Sequence, residues 1–237
     1  MVGREVFGRW LGLKNYKIHT YEEAVEVINE IGLLPLAQLI PDYPSLDSIT
    51  PKENWYTGSE LDPWMWRAQF PVDGAAAYGK FLKKKSVLIS RELLTIVRVV
   101  LGSPHTLKRR FDDGLVSRDA IELFALIEEE PGIDTRVIRV KAGMKDKEKK
   151  KSFDNALLEL QGSMDIVVSG TKAKTNESGE KNGWSSTSFE TMDYWMENNH
   201  VDSVNFNVED AKMHLKDHFG AICSPESMKV LSKIFKF

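Results

Sequence analysis

Two groups of residues have the types and spacing that chemistry needs. The first is basic. From Arg136 to Lys151 stand eight basic residues (Arg136, Arg139, Lys141, Lys145, Lys147, Lys149, Lys150 and Lys151) against Asp146 and Glu148, a local balance of +6 in sixteen residues. Over all 237 residues, 32 Lys and Arg meet 35 Asp and Glu, a net charge of -3. Overall charge therefore gives a nucleic-acid partner no support, and only this concentration does. Lys172, Lys174 and Lys181 extend it, against Glu177 and Glu180. Six phosphate contacts would give a slope of roughly −5 in log K against log salt. The plain alternative is a solvated lysine-rich loop that binds nothing.

The second group is aromatic and polar: Asp62, Trp64, Trp66, Arg67 and Tyr78. As a pocket, it would stack a base or flat ligand on a tryptophan, with Arg67 and Asp62 supplying polar contacts. In the competing reading the tryptophans brace a junction and Asp62 only caps a helix. Other candidates carry less. His214 and His218 stand at i, i+4, a spacing that can hold a metal, but Leu215-Lys216-Asp217 between them lacks the glutamate of a zinc hydrolase. Cys223 has no nucleophile's setting around it, and as the single cysteine it excludes an internal disulfide and a multi-cysteine metal site. No Walker A loop or GxGxxG occurs. Neither a metal nor a cofactor is expected.

These residues need elements to position them. Apolar content of 42% and charged content of 28% describe an ordinary globular chain. The longest stretch without a charged residue, Ile31 to Pro41, is too short to span a bilayer, and no apolar leader is visible at the N-terminus. A cytoplasmic protein without membrane association is the expectation. Thr20 and Glu23 form a capping box before Ala24, Val25, Ile28 and Ile31, and Gly32 offers a stop. Four prolines between residues 35 and 51 limit that stretch to turns and loops. Asp62-Pro63 opens a short helix. Residues 75–89 read as extended.

From residue 90 the pattern is helical. Ser90 caps a helix to Leu101, Ser117 caps one ending at Pro131-Gly132, and a short one follows Asp134. Another begins around Lys149, with Phe153, Ala156, Leu157 and Leu160 inward and Asp154, Asn155 and Glu159 outward. Met164 to Ser169 then reads as a strand, 170–183 as a polar loop, and 183–189 as a returning strand. Helix, helix, helix, strand, loop, strand is the order of a winged helix-turn-helix, with 170–183 as its wing. The basic run falls at the entry to the recognition helix, where such domains meet phosphates. Outward carboxylates on that helix argue for backbone or shape binding rather than base reading. Two further helices, opening at Asn207 and at Ser224-Pro225, close the chain.

Certain segments resemble a known family. Asp113-Gly114-Leu115-Val116-Ser117-Arg118-Asp119 is similar to the opening of a winged helix in the AlkZ-like winged-helix DNA glycosylases, which release alkylated purines and crosslinked bases. The match is more specific to a shorter branch, the AlkZ-related proteins. It rests on Asp62 to Arg67 (DPWMWR), Ala77 to Lys80 (AYGK), Ile89 to Glu92 (ISRE), Phe153 to Gln161 (FDNALLELQ) and Gly183-Trp184, in order over about residues 50–195. The resemblance implies a DNA-facing scaffold. It does not bring the chemistry. Where the glycosylases carry a Gln-x-Gln pair that positions water, this chain reads Gly32-Leu33-Leu34-Pro35-Leu36-Ala37-Gln38, and Gln38 has no glutamine two residues away.

The expected fold is therefore mainly α with a small β wing (α+β). It comprises an N-terminal helical region 1–89, a winged-helix domain 90–195 and a C-terminal helical extension 196–237. The expected function is double-stranded DNA binding through Arg136, Arg139, Lys147, Lys149, Lys150, Lys151, Lys172 and Lys174, with a candidate pocket at Asp62, Trp64, Trp66, Arg67 and Tyr78. Two alternatives stay open. One is a small-molecule-binding or scaffold protein on the same fold. The other is a glycosylase-like hydrolase that uses another carboxylate, Asp62 or Asp73.

Overall fold

The computed structural model describes residues 17–174, 185–203 and 205–237. Its predicted helices open on their predicted caps: the hydroxyls of Thr20, Ser90 and Ser117, the carboxylate of Asp62 and the amide of Asn207 each accept a first-turn N–H. The described residues divide into two compact units, one up to Gly102 together with those from Val201 on, and one between Ser103 and His200. The expected divisions at 89/90 and 195/196 lie elsewhere. The helix after Ser90 and the C-terminal helices group with the N-terminal residues, because they pack on one another.

In the first unit, α1 (Tyr21–Ile31) carries the capping box and ends on Gly32, whose φ of 76° is the left-handed conformation glycine adopts without strain. The short strand β1 (Leu33–Pro35) follows, with Pro35 at its last position, and then α2 (Leu46–Ile49) and α3 (Pro63–Val72). Strands β2 (Ala76–Leu82) and β3 (Lys85–Ser90) form a hairpin, and β1 pairs antiparallel with the other side of β3, Leu33 opposite Ile89. The two-residue hairpin turn is Lys83-Lys84, both at positive φ (49° and 62°), the backbone that matches the twist of flanking strands. Helix α4 (Arg91–Leu101) leaves β3 directly and buries Leu93, Leu94 and Val97. Near the C-terminus, α10 (Val208–Ile222) packs on α4, and Phe219 stacks on Phe235 of α11 (Pro225–Phe235) at 5.8 Å between ring centroids.

The second unit runs α5 (Leu107–Asp112), α6 (Arg118–Glu129), β4 (Ile133–Asp134), α7 (Thr135–Lys141), α8 (Lys150–Gly162), β5 (Ile166–Lys172), β6 (Ser186–Thr191) and α9 (Met192–Asn198). Its strands are antiparallel in the order β5-β6-β4, with Val168 and Ile133 both opposite Phe189. Phe153, Ala156, Leu157 and Leu160 of α8 are buried, as their spacing predicts. They join Leu123, Ile127, Ile138 and Phe189 in the core. The buried pair Arg110–Asp165 ties α5 to the turn that enters β5. Strand β5 continues to Lys172, past the position where the loop was expected to begin. Gly170 sits within it at a bulge, with φ 144°, instead of in a loop turn. The rest of the expected wing, with Lys181 and Gly183-Trp184, lies outside the described residues. The chain is thus α+β, with more strand than one wing supplies.

Candidate functional site

The basic segment is built by α7, by a 3-10 turn at Lys147–Lys149 and by the first turn of α8. Asp134 caps α7, accepting the Arg136 backbone N–H at 2.8 Å. The Arg136 guanidinium folds back on the same carboxylate, with Nε to Oδ1 at 3.2 Å and Nη2 to Oδ2 at 3.3 Å. Burial pushes the Asp134 carboxyl up, but the hydrogen bonds from Arg136 and Ser186 outweigh it and hold it below the usual range. Arg136 Nη2 also donates to the carbonyls of Lys172 and Ala173, at 3.2 and 3.4 Å. One turn further, Arg139 lies over the Phe153 ring at 4.9 Å. Lys149 Nζ donates to the Gly143 carbonyl at 2.9 Å, and Lys141 pairs with Glu130 at 2.7 Å.

These contacts have two effects. They give Arg136, Arg139 and Lys149 work inside the fold. They also bring three elements together: the end of β5 touches Arg136 at the start of α7, and Arg139 of α7 lies over Phe153 of α8. Lys145, Lys147, Lys150, Lys151, Lys172 and Lys174 are exposed; among the described residues none has a side-chain hydrogen bond or close ion pair, and the charge of Lys172 acts on the carboxylate of Glu190. Val137 and Val140, each following an arginine of α7, are exposed.

One outward carboxylate expected on α8 is not free. Glu159 turns to Ser117, accepting its backbone N–H at 3.0 Å and its hydroxyl at 2.6 Å. Ser152, at the other end of α8, hydrogen-bonds Asp119. Asp154 and Asn155 remain exposed.

The aromatic group divides. Asp62 is 1% exposed, and its carboxylate accepts three backbone N–H groups: Tyr56 and Trp64 on Oδ1 at 3.0 and 2.9 Å, and Gly58 on Oδ2 at 2.8 Å. Trp66 is as deeply buried and donates its indole N–H to the Glu60 carbonyl at 2.7 Å. Both are structural. Trp64 and Arg67 form a group with a residue the sequence reading missed, Tyr56, while Tyr78 is buried on β2. The Arg67 guanidinium carbon lies 3.5 Å from the Trp64 ring centroid, and the Tyr56 ring is 5.2 Å from Trp64 on another side. Burial lowers the Arg67 pKa, opposed by Tyr78, Tyr56 and Asp62 in that order. The available signal for Tyr56 was its place in Trp55-Tyr56-Thr57-Gly58, a turn-forming stretch just ahead of Asp62.

The other candidates take up structural positions. His218 Nε2 lies 3.0 Å from the Ile31 carbonyl, and the His214 ring packs tilted against Phe206, with centroids 4.6 Å apart. Burial pushes the Cys223 thiol up to about 12, away from any thiolate role. Gln38 donates its amide to the carbonyls of Ile40 and Tyr43, the latter at 3.2 Å. Asp73 is exposed at the end of α3 and accepts from Gln69 at 3.1 Å. Among the described residues no three His, Cys, Asp or Glu side chains gather as a metal site, and no helix is long and apolar enough to cross a membrane.

Compared with known proteins, the chain matches the family described as AlkZ related over residues 18–236. No curated protein and no solved structure matches it.

Proposed function

The chain belongs to the AlkZ-related family, and from that premise we propose that it binds double-stranded DNA through a winged-helix domain formed by its second unit. The order α6-β4-α7-α8-β5-β6, with β6 between β5 and β4, supports this reading. So does the resemblance of residues 113–119 to the glycosylases' winged helix. The observation that carries it is the set of six exposed lysines at the end of β5, after α7 and in the first turn of α8, five of them with no acidic partner among the described residues. Unpaired lysines at a helix start are unfavourable for the helix dipole and gain from an anionic partner. Exposed Asp154 and Asn155 leave α8 poorly suited to reading guanine edges, so the contacts are to phosphates and to DNA shape.

Base excision by the glycosylases' route has no water-positioning pair to work with, since Gln38 spends its amide on neighbouring carbonyls. A carboxylate route through Asp62 is equally unsupported, because all of its polar capacity on the protein side is given to Tyr56, Gly58 and Trp64. Binding is the assigned function. Fluorescence anisotropy on a short duplex tests it: the Lys147/Lys150/Lys151→Ala variant is expected to bind at least about tenfold more weakly than the parent. Equal binding by the two proteins overturns the proposal.

A further inference from the structure

We propose that Tyr56, Trp64 and Arg67 form a binding site for a phosphate attached to a planar base, with Arg67 holding the phosphate and Tyr56 stacking on the base. The site lies in the first unit and goes beyond the DNA-binding reading, which rests on the second.

The argument starts from an unsatisfied cation. Arg67 has no ion pair and no hydrogen bond among the described residues, and its Nε is buried without an acceptor. Half-buried charge of this kind is costly unless a partner is supplied. The Nε atoms of Arg110 and Arg139 are likewise buried without an acceptor, but Arg110 has the carboxylate of Asp165 on its Nη2 at 2.5 Å, a counter-ion that Arg67 lacks among the described residues. The acid nearest Arg67 is Asp62, and its oxygens are occupied by three backbone N–H groups. The chain thus places an arginine here and withholds its anion.

Its geometry suits a phosphate. Stacking at 3.5 Å on Trp64 fixes the guanidinium plane, so the fork is oriented before a ligand arrives. A fixed fork binds phosphate through two parallel N–H donors. Tyr56 supplies the flat surface. It is 69% exposed, packs beside Trp64, and is held by its own backbone N–H on Asp62 at a φ of 64° that non-glycine residues seldom adopt. A strained residue presenting an aromatic ring to solvent, next to an unpaired arginine, is a ligand-facing arrangement.

Calorimetric titration of the full chain with inorganic phosphate, adenosine, adenosine 5′-monophosphate and a single strand of about eight nucleotides tests this. The monophosphate is expected to bind at least about tenfold more tightly than adenosine or inorganic phosphate alone, since each of these satisfies half of the site. Arg67→Met, which keeps the stem, and Arg67→Lys, which keeps the charge without the fork, should each weaken it about tenfold. Tyr56→Ser, at an exposed position, should reduce the monophosphate to the affinity of inorganic phosphate and leave phosphate unchanged. If the strand binds more tightly than the monophosphate and loses that advantage in Arg67→Met, the ligand is a nucleotide within a strand; if the monophosphate matches the strand, it is a free nucleotide. The proposal is overturned if adenosine binds as well as its monophosphate, if Tyr56→Ser leaves the monophosphate unaffected, or if none of the probes binds at about 5 mM. Because Tyr56→Ser and the Lys147/Lys150/Lys151→Ala variant alter different units, failure here is distinguishable from failure of duplex binding.

Discussion

Glu159 and Ser117 hold each other across 42 positions of sequence, the carboxylate of one accepting both the backbone N–H and the hydroxyl of the other. Ser117 is the cap of α6 and Glu159 lies near the end of α8, so the bond locks two helices of the second unit. It also removes a negative charge from the outward side of α8. Replacing Glu159 with Ala is expected to lower stability by about 1–2 kcal/mol, the range of a lost cap and charge-assisted hydrogen bond. Duplex affinity should stay within about twofold. Urea denaturation and anisotropy on the same variant check both parts. A large gain in affinity would show that Glu159 faces the DNA.

Asp62 organises the segment from Tyr56 to Trp64 through three N–H groups. Asp62→Ala leaves those donors without their acceptor and is expected to cost about 2–3 kcal/mol, measured by urea denaturation. Tryptophan fluorescence of the folded variant should shift as well, because Trp64 and Trp66 flank the lost bonds.

Asp134 gives the fold a defined acid sensitivity. Its carboxyl is held below the ordinary value, so its contribution to stability is fully present above the unfolded value of about 4. The contribution is lost as pH falls through the depressed folded value. Asp134→Asn is therefore expected to be less stable than the parent at pH 7. The gap should narrow below about pH 4, which denaturation midpoints across pH will read. A constant gap would show that the charge of Asp134 is not what Arg136 recognises.

Lys83 and Lys84 both occupy left-handed backbone in the β2–β3 turn. Lys83→Asn with Lys84→Gly should raise stability by about 1 kcal/mol, because those residues adopt this turn with little strain. Thermal unfolding of the double variant checks it. A loss of stability would mean that the lysine side chains hold the hairpin.

Where a feature was set by neighbours in sequence, it could be read from sequence. Thr20 with Glu23, Ser90, Ser117 and Asp134 cap helices within three residues of themselves, and the spacing of Phe153 to Leu160 marks one inward face. Strands β1 and β4 were not legible, since three and two residues carry no alternation and owe their form to pairing with β3 and β6. Nor was the membership of the first unit, because α10 packs on α4 from more than a hundred residues away. The candidate sites behaved alike. The basic run was visible as composition, while the bonds that occupy Arg136 and Arg139 involve Lys172 and Phe153, distant in sequence. Trp64 and Arg67 lie three apart on one helix and announced themselves; Tyr56 joins them only through the turn that Asp62 pins.

The measurement that bears most directly on DNA binding is the salt dependence of duplex affinity. Lys145, Lys147, Lys150, Lys151, Lys172 and Lys174 supply six exposed cations, so log K against log salt should fall with a slope of about −5, and the Lys147/Lys150/Lys151→Ala variant should lose roughly half of it. A slope near zero, or the same slope in parent and variant, would contradict the assignment of the basic surface to DNA.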